Sequence, residues 1–369
     1  MKIVQIIPSL ERGGAERLCI DISNELLKRG NEVLLITFYD INEYEELTSN
    51  IPIKTVKASV ELSFRGKNHI NIQELQNSID DFKPDVIHTH LYEAEIIVYE
   101  LKTSAKLISH IHSNRKELAK KNLFQLTNKK KITQWFERKH YLKKFKALKV
   151  ELISISKDCH DYAIRELGLS ESQVHQVVNC INYELFKGSS KTLNDSKIKL
   201  INVGRFVPKK SQELLIDVAV ILKEKGIDFD LTFLGDGAEK VKVIKYAKSK
   251  GVDHLVHFKG VVSKPEIFLK ESTLYIHSAK LEPLGLVLIE AMASGLPVVT
   301  TDGFGNRDLI EEGKNGYMIW NRDPKIFAQK IEKIVTSPEQ YNRISEYAIQ
   351  YAAQYDIKPY IDRILSIYN

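Results

Sequence analysis

Twice along this chain a short β-branched apolar run leads into a glycine-marked break and then a segment with helical spacing. That alternation restricts the fold more than any other feature. Residues 2–8 read as a strand buried on both faces. Gly13-Gly14 breaks the chain, and Leu18, Ile22 and Leu26 recur at helical spacing over 15–28. Gly30 stops that helix, and Val33 to Phe38 form the next strand. Residues 85–89, 106–111 and 151–155 are further strand candidates. The pattern restarts at Ile198–Val203, which ends in Gly204; an amphipathic helix follows over 212–225, then strands at 229–234, 255–259, 273–277 and 297–300. Strands alternating with helices imply parallel sheets covered by helices. Two such runs in 369 residues imply two domains, with the polar stretch Lys187 to Lys197 as linker. Ligands in open parallel sheets bind beyond the C-terminal strand ends, so the loops there are the places to search.

Composition narrows the class. Cys19, Cys159 and Cys180 lie far apart with no CxxC pair, which makes neither a disulfide framework nor a zinc site and suits a reducing cytoplasm. The start Met1-Lys2-Ile3-Val4 lacks a signal-peptide core, and no apolar run approaches the length of a membrane span. The expectation is a cytoplasmic protein, at most peripheral on the inner face of a membrane.

The densest chemistry lies between Ser278 and Val299. A strand ends near His277, a loop follows, and a helix begins around Gly285, where free N–H groups and the positive dipole end suit an anion. Glu290 interrupts the apolar run Leu286–Ala293. A carboxylate there needs a partner, either inside the protein or in a ligand. Glu282, eight residues earlier, is biased toward an extended backbone by Pro283. Arg205 and Lys210 follow a strand end, and such a basic pair can neutralise a diphosphate leaving group; a solvated turn is the plain alternative.

The spacing Glu282-x7-Glu290, set in Leu-x-Glu-Ala-Met-Ala-x-Gly-x-Pro-Val-Val, resembles the signature of retaining glycosyltransferases of family four. The resemblance implies an α/β fold of the GT-B type, two Rossmann-like domains facing each other across a cleft. It implies an acceptor domain over 1–187, a nucleotide-sugar domain over 198–350, and a C-terminal helix over 351–369 returning to the first domain. Gly204-Arg205-x4-Lys210 resembles the family segment that holds the donor diphosphate. Gly235-Asp236-Gly237 resembles a family turn, and Gly260-Val261 the segment beside the nucleobase; Gly303 to Gly316 resembles the last family block. By the same resemblance Glu290 holds the ribose hydroxyls, while Glu282 and the Gly285, Leu286 and Val287 amides hold the sugar and diphosphate. Gly14 belongs to a glycine loop facing the donor phosphates, although a simple turn explains Gly13-Gly14 equally. His112 is similar to a histidine that touches the transferred sugar; it and the nearby His88 and His90 also suit structural roles. The linker Asn179-Cys180-Ile181-Asn182, Ser211 for a common glycine, and Pro283-Leu284 for Gly-Phe depart from the family pattern.

The resemblance therefore implies transfer of a sugar, with retention, from a nucleotide-diphosphate donor (UDP favoured over GDP) to a hydroxyl of a glycan or lipid-linked glycan. No metal or other cofactor is expected. A nucleotide-sugar epimerase on the same fold and a non-catalytic nucleotide-sugar-binding subunit remain rivals. An oxidoreductase does not fit, because the dinucleotide fingerprint is missing.

Net charge is only +6, but thirteen Lys/Arg residues crowd 115–149 against Glu117 and Glu137. Trp135, Phe136, Leu142 and Phe145 recur there at roughly helical spacing. An anionic membrane surface is the expected partner. A solvated helix packed on the N-terminal domain is the alternative, and nucleic acid is not expected.

Overall fold

The computed structural model describes every residue except 65, 116, 117, 119, 121–128, 192 and 194–196. Parts of the basic segment and of the linker thus lie outside the described residues. The chain forms two compact units, Met1–Asn179 with Ile357–Asn369, and Cys180–Asp356.

Unit 1 holds a seven-stranded parallel sheet. Its strands are β1 (Lys2–Ile6), β2 (Glu32–Thr37), β3 (Ile53–Thr55), β6 (Val86–His90), β7 (Lys106–Ile111), β8 (Glu151–Ser154) and β9 (Val174–Gln176). They lie in the order β3-β2-β1-β6-β7-β8-β9. A separate hairpin pairs β4 (Ser59–Glu61) with β5 (His69–Asn71). The helix Gly14–Lys28 buries Leu18, Ile22 and Leu26, the positions its spacing selects. Unit 2 repeats the plan with β10 (Ile198–Val203), β11 (Phe229–Leu234), β12 (Val256–Gly260), β13 (Leu274–His277), β14 (Val298–Thr301) and β15 (Gly316–Ile319). Their order is β12-β11-β10-β13-β14-β15, and all pairs are parallel. In both sheets the chain starts in the middle and winds outward to either side, the doubly wound arrangement in which a switch point lies beside the first strand.

The boundaries differ from those the sequence suggests. Residues 180–187 belong to unit 2, not to a domain ending at 187. Ile181 bridges Asp356, the Ser294 hydroxyl donates to the Phe186 carbonyl at 3.1 Å, and Gly188 N–H donates to the Ala293 carbonyl at 2.9 Å. Lys191, expected in a linker, packs on unit 2 with its ammonium on the carbonyls of Leu269, Lys270 and Ser272, at the end of the helix Pro265–Glu271. The return to unit 1 begins at Ile357, since residues 351–353 still finish the helix Pro338–Ala353. The last helix, Ile357–Tyr368, lies on Gly14–Lys28, where Arg29 pairs with Asp362 and donates to the Lys358 carbonyl at 2.7 Å.

Candidate active site

Four loops at the C-terminal edge of the unit 2 sheet, with the helix that one of them opens, carry every residue the sequence assigns to donor binding in that half of the chain. After β10, Gly204 N–H donates to the Leu234 carbonyl, and Phe206 turns inward against Phe233 and Phe258. After β11, Gly235 N–H donates to the Gly260 carbonyl at 2.7 Å. Gly235 has φ +131, and a Cβ there would stand 2.2 Å from the Gly204 carbonyl oxygen, so only glycine lets these two loops touch. Gly260 closes the third loop, followed by Val261 with 54% of its surface exposed.

The fourth loop supplies the charge. Glu282 is held by its backbone, with its N–H on the Gly303 carbonyl at 2.8 Å and its carbonyl accepting from Gly305 at 2.9 Å. Its carboxylate pairs with the Lys210 ammonium and accepts from His277 Nε2 at 3.1 Å. Burial alone would raise the Glu282 pKa. The Lys210 charge and the His277 hydrogen bond outweigh burial and hold it down to about 2. His277, buried, is pushed down by desolvation despite the carboxylate. A neutral ring that donates from Nε2 must accept at Nδ1, where the Tyr275 hydroxyl stands at 3.1 Å. Lys210 runs beneath Gly204 and is largely covered. Arg205 is exposed at the rim and engages none of the described side chains. Ser211 sits at φ +51, the left-handed region that the glycine common in the family enters without strain.

The helix Leu286–Ala293 starts from Gly285. A Cβ at Gly285 would meet the Leu288 side chain at 2.6 Å and the Asn306 amide oxygen at 2.7 Å, so a larger residue there must push both side chains aside. Among the described residues the N–H groups of Gly285 and Val287 have no acceptor, which leaves donors at the positive end of the helix. Asn306 is buried, donates to Thr300 and the Thr301 carbonyl at 3.1 Å, and keeps its Oδ1 without a partner beside Gly285. Glu290 is half-buried rather than buried, and its charge acts on the Tyr275 hydroxyl. His277, Tyr275 and Asn306 complete this cluster, and the sequence reading missed all three as site residues. For His277 the available signal was its place at the end of an apolar strand.

In unit 1, Gly14 begins the helix after β1 and is exposed, and His112 follows β7. His112 Nε2 lies 3.0 Å from His90 Nδ1. His88, His90 and His110 are fully buried, with ligand-capable atoms within 4.8 Å of one another. The His88 and His110 rings stack at an interplanar angle of 8° with centroids 5.2 Å apart.

Arg115 leaves the basic segment's surface altogether. It is buried and doubly bonded to the Glu95 carboxylate, with Tyr141 joining at 2.9 Å. The helix Lys129–Ala147 buries Tyr141 and Phe145, while Trp135 and Phe136 edge onto exposed Phe64 of the β4–β5 hairpin loop. Lys129, Lys130, Lys139, Lys143 and Lys146 are exposed; Lys144 pairs with Glu100 at 2.7 Å.

Comparison with known proteins matches residues 12–185 to the model described as Glycosyltransferase Family 4, and residues 186–351 to Glycosyl transferases group 1. The poly(ribitol-phosphate) alpha-N-acetylglucosaminyltransferase of Staphylococcus aureus is 30% identical over 208 residues, 54% of this chain and 41% of that protein. The lipopolysaccharide core biosynthesis glycosyltransferase LpsE of Rhizobium meliloti is 35% identical over 147 residues, 40% of this chain and 42% of that one. The matched regions span about two fifths to one half of the first four such relatives. Anabaena HepE, solved with UDP and glucose, superposes with TM-score 0.79 at 19% identity, covering 100% of this chain and 99% of its own. That likeness establishes the fold as GT-B.

Proposed function

Because this chain belongs to the glycosyltransferases, with a family 4 domain followed by a group 1 domain, we propose that it moves a sugar from a nucleoside-diphosphate donor to a hydroxyl acceptor with retention of configuration. The donor is a UDP-sugar in preference to a GDP-sugar, and the acceptor is a glycan or lipid-linked glycan of the cell surface. Support for the donor comes from HepE, whose solved complexes hold UDP, glucose and UDP-glucose. Support for the acceptor class comes from relatives named for poly(ribitol-phosphate) and lipopolysaccharide core.

One observation carries the reading: the Lys210–Glu282–His277 cluster beside the unpaired amides of Gly285 and Val287. Charge develops on the diphosphate as the nucleotide leaves. Lys210, prepaid in position by Glu282, receives that charge without reorganising, which is how preorganised groups lower a barrier, and Arg205 at the rim adds a second cation. The two cations make a metal unnecessary for this step. Glu282 and the helix amides hold the sugar and diphosphate, Glu290 the ribose hydroxyls, and Gly260 and Val261 flank the base. His112 is assigned a hydroxyl of the transferred sugar. Retention follows from attack on the same face the nucleotide leaves, with a donor phosphate oxygen taking the acceptor proton. The exposed lysines of Lys129–Ala147 bind an anionic membrane surface and bring the enzyme to a lipid-linked acceptor.

A thermal-shift panel of UDP, GDP and ADP tests the donor assignment, because a ligand that binds only the folded state raises stability by mass action. UDP should shift the transition most. In Glu290→Gln the fold should survive and the UDP shift should shrink, since hydrogen bonds to a charged group contribute about 1.5–3 kcal/mol. A Glu290→Gln protein that binds UDP normally would leave that carboxylate with a purely structural role. Turnover of donor without acceptor, giving an epimeric sugar nucleotide, would favour the epimerase reading.

A further inference from the structure

Gln5, Tyr368 and three histidines of unit 1 form one hydrogen-bonded chain, and its polarity decides what His112 can offer a ligand. Tyr368 Oη accepts from Gln5 Nε2 at 3.1 Å and lies 2.7 Å from His88 Nδ1. Gln5 Oε1 lies 2.9 Å from His90 Nε2, and His90 Nδ1 lies 3.0 Å from His112 Nε2. A neutral imidazole has one donor and one acceptor nitrogen, so each link dictates the next. Two arrangements satisfy the Gln5–His90–His112 links. With the Gln5 oxygen toward His90, both His90 and His112 carry hydrogen on Nε2; with the Gln5 amide reversed, both carry it on Nδ1. The Nε2–H form is the intrinsically preferred tautomer of a neutral histidine side chain, so the first arrangement is favoured at both rings.

His112 is the one member of this chain that is not fully buried, and among the described residues its Nδ1 has no hydrogen-bond partner. We propose that Gln5, acting through His90, is a positioning residue that keeps His112 as the Nε2–H tautomer, so that its Nδ1 presents a lone pair to a hydroxyl of the bound sugar. The inference rests on the assignment of His112 to the transferred sugar. A lone pair repels phosphate oxygens, so it separates a sugar-facing histidine from a diphosphate-binding one. Desolvation lowers the pKa of His88, His90 and His112, which keeps the rings neutral and the chain intact.

The test is long-range proton–nitrogen correlation NMR on ligand-free protein labelled with ¹⁵N-histidine at neutral pH, with His112 identified by loss of its signals in His112→Asn. The expected spectrum shows a protonated Nε2 and a bare Nδ1 for His112. Gln5→Leu removes the acceptor oxygen and should move His112 toward a tautomer average. Gln5→Glu in its ionised form, which presents only acceptor oxygens to His90, should restore the single form. A wild-type His112 with hydrogen on Nδ1, or an unchanged His112 in Gln5→Leu, would overturn the proposal. Loss of UDP binding in the thermal-shift panel would instead count against the donor reading, so the two failures are told apart.

Discussion

Glu282 shows how much a single residue owes to its neighbours. Its carboxyl titrates near 2 in the fold because Lys210 and His277 outweigh burial, whereas the free side chain titrates near 4.5. A depressed carboxylate adds stability that is complete above the unfolded value and is lost as pH falls through the folded one. The melting temperature of the protein should therefore drop between about pH 4.5 and 2, and more shallowly in Glu282→Gln, as read by a thermal melt series. Lys210→Ala or Arg205→Ala should slow nucleotide release from the donor by roughly 10²-fold or more, the usual effect of removing one preorganised charge-stabilising group. Arg205→Lys should recover only part, because a point charge replaces a planar fork. Near-normal rates in both alanine variants would remove these residues from the leaving-group role. The spacing Glu282-x7-Glu290 was visible in the chain itself. His277 and Asn306 were not, because a strand-end histidine and a loop asparagine acquire meaning only from their hydrogen-bond partners, which stand at 3.1 Å.

Among the elements, the helix Lys129–Ala147 shows where local pattern stops being informative. Its lysines and aromatics do mark a helix with an apolar stripe, but what anchors it is Tyr141 in the buried Arg115–Glu95 pair and Phe145 in the core. Arg115 looks from its neighbours like one more surface cation. Removing one partner of a buried pair strands the other charge, so Glu95→Ala should destabilise unit 1 by about 3–5 kcal/mol. Urea unfolding followed by Trp135 fluorescence in a Trp320→Phe background isolates that unit, since the chain has two tryptophans. A loss below about 1 kcal/mol would mean the site relaxes or takes up water. Central strands were legible from their apolar runs. The three-residue strands Ile53–Thr55 and Val174–Gln176 at the sheet edges were not, for an edge strand needs only one partner and carries little apolar signal.

At the scale of the whole molecule, no described helix is long and apolar enough to cross a membrane. Near an anionic surface each basic residue contributes about 1 kcal/mol, so on the proposed reading the exposed lysines of one helix should give reversible binding. Vesicles containing anionic lipid should retain the protein at low salt and release it at high salt, while neutral vesicles should not retain it. Changing Lys129, Lys130, Lys131 and Lys143 to Glu should abolish retention without altering the UDP thermal shift; Lys144 is left alone because it serves Glu100. A wild type that ignores anionic vesicles even at low salt would assign the patch to solubility and point to a soluble acceptor.

Periodicity and glycine placement were enough, without any structure, to indicate two units of parallel sheet covered by helices; the doubly wound strand order came only from the fold. Those signals are local: buried parallel strands must be apolar throughout, helices must repeat near every fourth residue, and loops that touch must be glycine. The unit boundary at Asn179 and the return of the chain at Ile357 were decided only in three dimensions, through Ile181 against Asp356 and the last helix on Gly14–Lys28. So were the state of Glu282 and the tautomer chain behind His112. Charge and hydrogen-bond polarity depend on partners 72 residues away for Glu282 with Lys210, and 85 for His90 with Gln5. No local pattern records contacts at that separation, because only the packed fold brings those groups together and removes the water between them.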